Sequence, residues 1–219
     1  MTEQELAKHI IKWLEKREWE VYQEVCTGAL SPIADIVAVK NGLTWIIETK
    51  TRYGLAVIDQ ACFWISRCCA NYVSVAVMRT KKRRGGAASW FFHKEKGVGL
   101  MEVEEEGYVQ ISHRPKLMRN KKAALWNIKN MLCEEHKHFA KAGAANGGYY
   151  TPFKGTVRDV LTFIKKNPGT TIKEMVDSVG RFHYSSDQTA KSSIAKYIRD
   201  GVIKGVTIKI EGRKQRLYI

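Results

Sequence analysis

Several features are missing from this 219-residue chain. No apolar run approaches the roughly 20 residues that a membrane-spanning helix needs. The opening segment, MTEQELAKHI, is charged and has no apolar signal core. The five cysteines (Cys26, Cys62, Cys68, Cys69 and Cys133) are odd in number and too few to staple a chain of this length, so reduced thiols are expected. There is no internal repeat and no low-complexity tract. With 44% apolar and 27% charged residues, the composition excludes a fibrous, collagenous or wholly disordered protein. The expectation is a soluble, intracellular (cytoplasmic) protein with one mid-sized and one small domain.

What the chain has in excess is positive charge, +15 overall. The surplus is uneven. Residues 1–80 are electrically neutral, residues 81–155 carry +8 and residues 156–219 carry +7. A basic surplus concentrated in this way is the footprint of a polyanion partner, most commonly nucleic acid.

The apolar pattern divides the chain. TEQELAKHIIKWLEKREW repeats Leu6, Ile10, Trp13 and Leu14 at helical steps, and Thr2 with Glu5 has capping-box spacing. WEVYQEV reads as a strand. ADIVAV and LTWIIET read as two more, joined by the tight turn signal KNG. VIDQACFWISRCCANY is helical by period, and YVSVAVM is a short buried strand. The order α-β-β-β-α-β predicts an α/β mixed sheet flanked by helices. GVGLMEVEEEGYVQISH predicts a second hairpin, and LMRNKKAALWNIKNMLCEEHKHFAKAG a helix of about seven turns. The expected domains are 1–145 (core about 1–80, hairpin and long helix about 94–145), a linker at 146–155, and 156–219. The last segment predicts three helices and a β-ribbon, with Thr171 and Glu174 capping the second helix and Gly201 stopping the third. That order is similar to a winged helix.

The candidate chemistry lies in the neutral third of the chain. Asp35 sits inside an apolar strand, and Glu48 and Lys50 close the next one. Charges there are costly unless something compensates. Residues two apart on a strand share a face, and the KNG turn folds the second strand back on the first. Two carboxylates and one ammonium then meet at one point on the sheet. Paired carboxylates repel without a cation, and hard oxygen donors favour Mg²⁺ or Mn²⁺ over zinc. Cys133-x-x-His136-x-His138 is not read as a zinc site, because the two histidines point to different helix faces and no fourth ligand is in sight.

Asp35, twelve residues, then Glu48-x-Lys50, in this element order, resembles the PD-(D/E)XK nuclease superfamily, nearest its resolvase and restriction-enzyme branches. The resemblance covers about residues 1–80. It departs from the motif at Ala34, which stands where proline is named. The resemblance implies a restriction-endonuclease-like sheet in which Asp35, Glu48 and the Thr49 carbonyl hold Mg²⁺ (or Mn²⁺) and Lys50 is the catalytic lysine. It places Glu5 of the first helix as a metal or water ligand, with Glu3 or Glu24 as substitutes. Gln60, one turn before Trp64, supports the lysine or a phosphate.

DNA is the expected partner. On the third helix of the last segment Gln188 and Ser192 are placed to reach base edges, and Lys191, Lys196 and Arg199 to hold phosphates. Arg213, Lys214 and Arg216 cluster on the ribbon, and Lys81, Lys82, Arg83 and Arg84 form a phosphate-gripping loop. The function expected is a metal-dependent DNA endonuclease, a homodimer if it cuts both strands, leaving 5′-phosphate ends by resemblance. The alternatives are a structure-specific junction resolvase, a non-catalytic DNA-binding regulator on a nuclease-like scaffold, and an RNA-directed enzyme.

Overall fold

The computed structural model describes residues 1–26, 32–80, 89, 91–118, 127–143, 148–212 and 214–219. They form two compact units, Met1–Tyr150 and Thr151–Ile219.

In the first unit, helix α1 (Glu3–Glu15) begins at the expected capping box. Thr2 Oγ1 accepts the Glu5 N–H at 3.2 Å, and the Glu5 carboxylate accepts the Thr2 N–H at 2.7 Å. Leu6, Ala7, Ile10 and Leu14 recur at helical spacing and are buried. Burying each of the three large side chains contributes about 1.5–3 kcal/mol. Strands β1 (Glu20–Cys26), β2 (Ile33–Lys40) and β3 (Leu43–Lys50) form an antiparallel meander. The β2–β3 connection is the two-residue loop Asn41-Gly42, with φ of 50° and 80°. Left-handed φ at both positions is what a tight hairpin turn with native twist requires, and Asn-Gly supplies it at low strain.

Helix α2 (Leu55–Arg67) then crosses to β4 (Tyr72–Met78), which lies parallel to β3. Strand β5 (Gly99–Val103) is parallel to β4, and β6 (Val109–His113) returns antiparallel. The result is one mixed sheet of six strands in the order β1-β2-β3-β4-β5-β6. Residues 73–77 of β4 are buried on both faces, as expected for a parallel strand covered above and below. One face packs Ile36, Ala38, Trp45, Ile47 and Met101 under α1. The other packs Val37, Ile46, Val75 and Val77 around Trp64 of α2.

The expected seven-turn helix is not formed in its described part. Ile128–Met131 is a 3₁₀ turn, Leu132 is extended, and only Glu135–His138 (α3) is helical. Local side-chain bonds compete with the helix. Asn127 Oδ1 accepts the Lys129 N–H at 3.0 Å, and His136 Nδ1 accepts the Cys133 N–H at 3.2 Å. Ile128 is fully buried and its N–H bonds the Cys69 carbonyl, so packing overrides the period.

The second unit holds α4 (Pro152–Lys166), α5 (Ile172–Val179), α6 (Asp187–Arg199) and the hairpin β7 (Thr207–Glu211)–β8 (Lys214–Tyr218). Thr151 caps α4 by accepting the Lys154 N–H at 3.1 Å. The helix therefore starts inside the expected 146–155 linker, four residues before position 156. Thr171 and Glu174 form the expected capping box on α5. Val160, Ile164, Met175, Ala190, Ile194, Ile198 and Leu217 make a separate core. Among the described residues no helix is long and apolar enough to cross a membrane.

Candidate active site

The β2–β3 ladder ends at Ile36↔Ile47, and Asp35 and Glu48 are the next residues on the two strands. The β1–β2 ladder pairs Gln23 with Ile36 and Val25 with Ala34, and Glu24 and Asp35 lie between those pairs, outside the ladder. Glu24, Asp35 and Glu48 thus form a row of acids at neighbouring positions on three adjacent strands, near enough that the Asp35 and Glu24 charges both raise the Glu48 pKa. All three are buried, with Glu48 fully so. Glu24 has a φ of +49°, a left-handed backbone that an ordinary side chain seldom adopts. Its Oε1 accepts the Gly143 N–H at 2.9 Å.

Each acid is held differently. Asp35 Oδ2 accepts both the backbone N–H (2.7 Å) and the hydroxyl (2.8 Å) of Thr49. The side chain thereby takes a donor that the strand ladder would otherwise use. Glu48 Oε1 accepts the indole N–H of Trp64 at 2.5 Å, while its Oε2 is buried without a hydrogen-bond partner. Burial pushes the Glu48 carboxyl well above its ordinary value, and the neighbouring Asp35 charge pushes the same way. Burial also raises Asp35, partly countered by the two Thr49 bonds and by Lys50. Lys50 donates to Glu3 Oε2 at 3.0 Å. Burial alone would lower its ammonium, but that bond and the nearby carboxylates outweigh it, and its pKa is raised.

Asp35, Glu48 and Lys50 therefore lie close enough to act on one another's charges, and Thr49 meets Asp35 through its N–H and hydroxyl. Glu5 does not join them, because its carboxylate is committed to the Thr2 cap, which also holds it below its ordinary pKa. Glu3, named as a substitute, takes the place beside Lys50. Gln60 and Trp64 stand one turn apart on α2, and Gln60 Oε1 is buried without a partner. Glu48 Oε2 and Gln60 Oε1 are thus buried acceptors with nothing to accept from. The role of Trp64 as donor to Glu48 is not foreseeable from a motif, and its only sequence signal is its position four residues after Gln60.

Of the expected DNA contacts, Gln188, Ser192, Lys196 and Arg199 are exposed on α6, and Lys214 is exposed on β8. Lys191 is engaged within the unit, bonding Asp177 at 2.9 Å. Arg216 is also internally committed, donating to the Gly169 carbonyl at 2.6 Å and pairing with Glu211. Lys81, Lys82, Arg83, Arg84 and Arg213 lie outside the described residues.

The fold and site define a mixed α/β protein with an acid row and one lysine at the end of a six-stranded sheet. No family model matches the chain, and no curated protein matches it. Two solved structures are weakly similar. A protein of unknown function from Silicibacter pomeroyi is 18% identical, with a TM-score of 0.41 over 60% of this chain and 81% of that one. A second protein of unknown function is 16% identical, with a TM-score of 0.35 over 92% and 99%.

Proposed function

We propose that the chain is a divalent-metal-dependent DNA endonuclease of the PD-(D/E)XK type, whose second unit is a winged helix that supplies DNA binding. The observation that carries the reading is the convergence of Asp35, Glu48 and Lys50 with one carboxylate oxygen, Glu48 Oε2, buried and unpartnered. A buried acceptor without a donor is costly, and a hard cation is its natural complement. Among the described residues no three His, Cys, Asp or Glu side chains are grouped closely enough to hold an ion by themselves. An Mg²⁺ or Mn²⁺ ion bound here would have to complete its shell with waters and substrate oxygens. Asp35, Glu48 and the Thr49 carbonyl are the residues that would hold it.

When bound, such an ion supplies Lewis acidity at the phosphorus oxygens and lowers the pKa of a coordinated water. The chain's own residues do the rest. Trp64 fixes the Glu48 carboxylate in one rotamer. Thr49 fixes Asp35 from two donors. Lys50, held by Glu3 and kept protonated by its raised pKa, serves as a fixed positive charge for the negative charge that builds on the phosphoryl group. In the second unit, α6 presents Gln188, Ser192, Lys196 and Arg199 on one exposed face, as a recognition helix does.

The test is cleavage of supercoiled, linear, branched and single-stranded DNA with Mg²⁺ or Mn²⁺, with Glu48→Ala and Lys50→Ala as controls. Cutting that needs the metal and both side chains supports the reading. DNA binding with no cutting of any substrate by the wild type would sink it in favour of a binding regulator.

A further inference from the structure

The outer face of α1 carries a feature that the acid row does not use. Lys8, Lys12 and Lys16 recur every four residues along it and are exposed. Like charges at this spacing destabilise a helix. Lys12 and Lys16 line an open groove of about 410 Å³ between α1 and the β5–β6 turn, together with His9, Trp13, Arg17, Gly107, Tyr108 and Val109. Among the described residues no carboxylate lines it. The turn seats directly on the helix, since a Cβ on Gly107 would collide with the His9 ring. Arg17 is already positioned: its guanidinium lies 3.8 Å over the Trp13 ring and donates to the Trp13 carbonyl. Tyr108 is 64% exposed.

We infer that this groove binds a single-stranded stretch of nucleic acid, with phosphates on Lys12, Lys16 and Arg17 and a base stacked on Tyr108. Cations that track a backbone beside an exposed aromatic ring are how unpaired strands are held. A paired base has no face to offer such a ring, so the chemistry favours a single strand over a duplex. At 1.5 Å per residue, Lys12 and Lys16 lie about 14 and 20 Å along α1 from Glu3, the residue that holds Lys50. A strand that left the groove along α1 toward its N-terminus would reach Glu3 and Lys50, which suits a substrate with a single-stranded flank, such as an overhang or a branch. That last step rests on the nuclease reading, and the binding itself does not.

The experiment uses the full chain in EDTA, so that binding is read without cleavage. Fluorescence anisotropy of a labelled oligothymidylate is compared for wild type, Lys12→Gln/Lys16→Gln, Tyr108→Ala, and a charge-matched control, Lys94→Gln/Lys96→Gln. The groove double variant should weaken binding at least tenfold more than the control. It should also flatten the salt dependence by about 1.4 in log–log slope, from two phosphate contacts on a single strand at about 0.7 each. Tyr108→Ala should weaken it about fivefold or more. Photocrosslinking of wild type to an iodouracil-substituted strand should map to residues 9–17 or 107–109. Crosslinks confined to other residues, or a groove variant no weaker than the control, would overturn the inference. If no metal elicits cleavage but the crosslink maps to the groove, the nuclease reading fails and the groove stands. Metal-dependent cleavage with no groove effect leaves the nuclease reading standing and overturns the groove.

Discussion

Replacing Glu48 with Gln should stabilise the metal-free protein at neutral pH and remove part of its pH dependence. Glu48 is fully buried, and its pKa lies well above the ordinary 4.5 because of burial and the Asp35 charge. The sign follows from proton counting. Above about 4.5 the unfolded chain gives up this proton while the folded chain keeps it. The folded state then binds more protons, so stability falls as pH rises. The fall begins near the unfolded value and ends once pH passes the raised folded value. Beyond that the carboxylate is charged in both states, and the penalty stays in full. One proton of difference corresponds to about 1.4 kcal/mol per pH unit, or about 3–6 °C in midpoint per unit for a body of this size. Asp35, raised in the same direction, adds to the slope. The assay is thermal unfolding of EDTA-treated wild type and Glu48→Gln at fixed ionic strength, from pH 4.5 upward. Differencing the two cancels the surface carboxylates. The wild type should lose ground to the variant steadily and then level off. Adding Mn²⁺ near pH 7.5 should restore the wild type, by about 2.7 kcal/mol at a hundredfold excess over its Kd, and should leave the variant nearly unmoved. A difference that is flat in pH from the start would refute the reasoning, because Glu48 would then titrate as an ordinary exposed carboxylate.

Trp64→Phe keeps the ring in the core but deletes the donor to Glu48. It should cost about 1–3 kcal/mol, the range for stranding a buried acceptor, and should weaken Mn²⁺ binding by calorimetry. Lys50→Ala should abolish cleavage while leaving DNA affinity within about threefold by anisotropy, since the second unit carries its own basic face. At Gly143, φ is +76° and a Cβ would stand 2.8 Å from the Glu3 carbonyl carbon. Gly143→Ala should therefore destabilise the first unit by more than about 1 kcal/mol in denaturant titration. Thr171→Ala removes half of the α5 capping box and should lower the stability of the second unit by about 1 kcal/mol.

Most of the sheet is legible in the sequence because its signals are local. The alternation and apolar runs around Asn41-Gly42 need no tertiary knowledge, and neither do the capping boxes at Thr2 and Thr171. The row of acids is half legible. Asp35 and Glu48 follow from the turn and the two-residue period, but Glu24 requires the β1 register, which no short motif encodes. The long helix expected across residues 117–143 shows the limit of periodicity, since its described part is broken where Asn127 and His136 bond the backbone and Ile128 enters the core. Glu5 is the most instructive miss. Its sequence position suits both the helix cap and the site, and one carboxylate cannot serve both. The cap is local and forms with the helix, so the site draws instead on Glu3, two residues earlier.

The electrostatics of the acids bear directly on the proposed metal site. Glu24, Asp35 and Glu48 are each buried, the charges of the first two raise the pKa of the third, and Lys50 is already bonded to Glu3. Buried charge that is incompletely paired is commonly a net cost, and apolar replacements at such positions are often neutral or stabilising. Proteins keep strained or unsatisfied groups where the surrounding fold over-determines them and function uses them. Here the over-determination is visible in the Thr49 clamp on Asp35, the Trp64 bond to Glu48 and the Gly143 N–H on Glu24. Each fixes one oxygen of its carboxylate, and on Glu48 the other oxygen is buried with no donor. On Glu48 one oxygen is held by Trp64 and the other is left over, and that oxygen is what the proposed cation would satisfy.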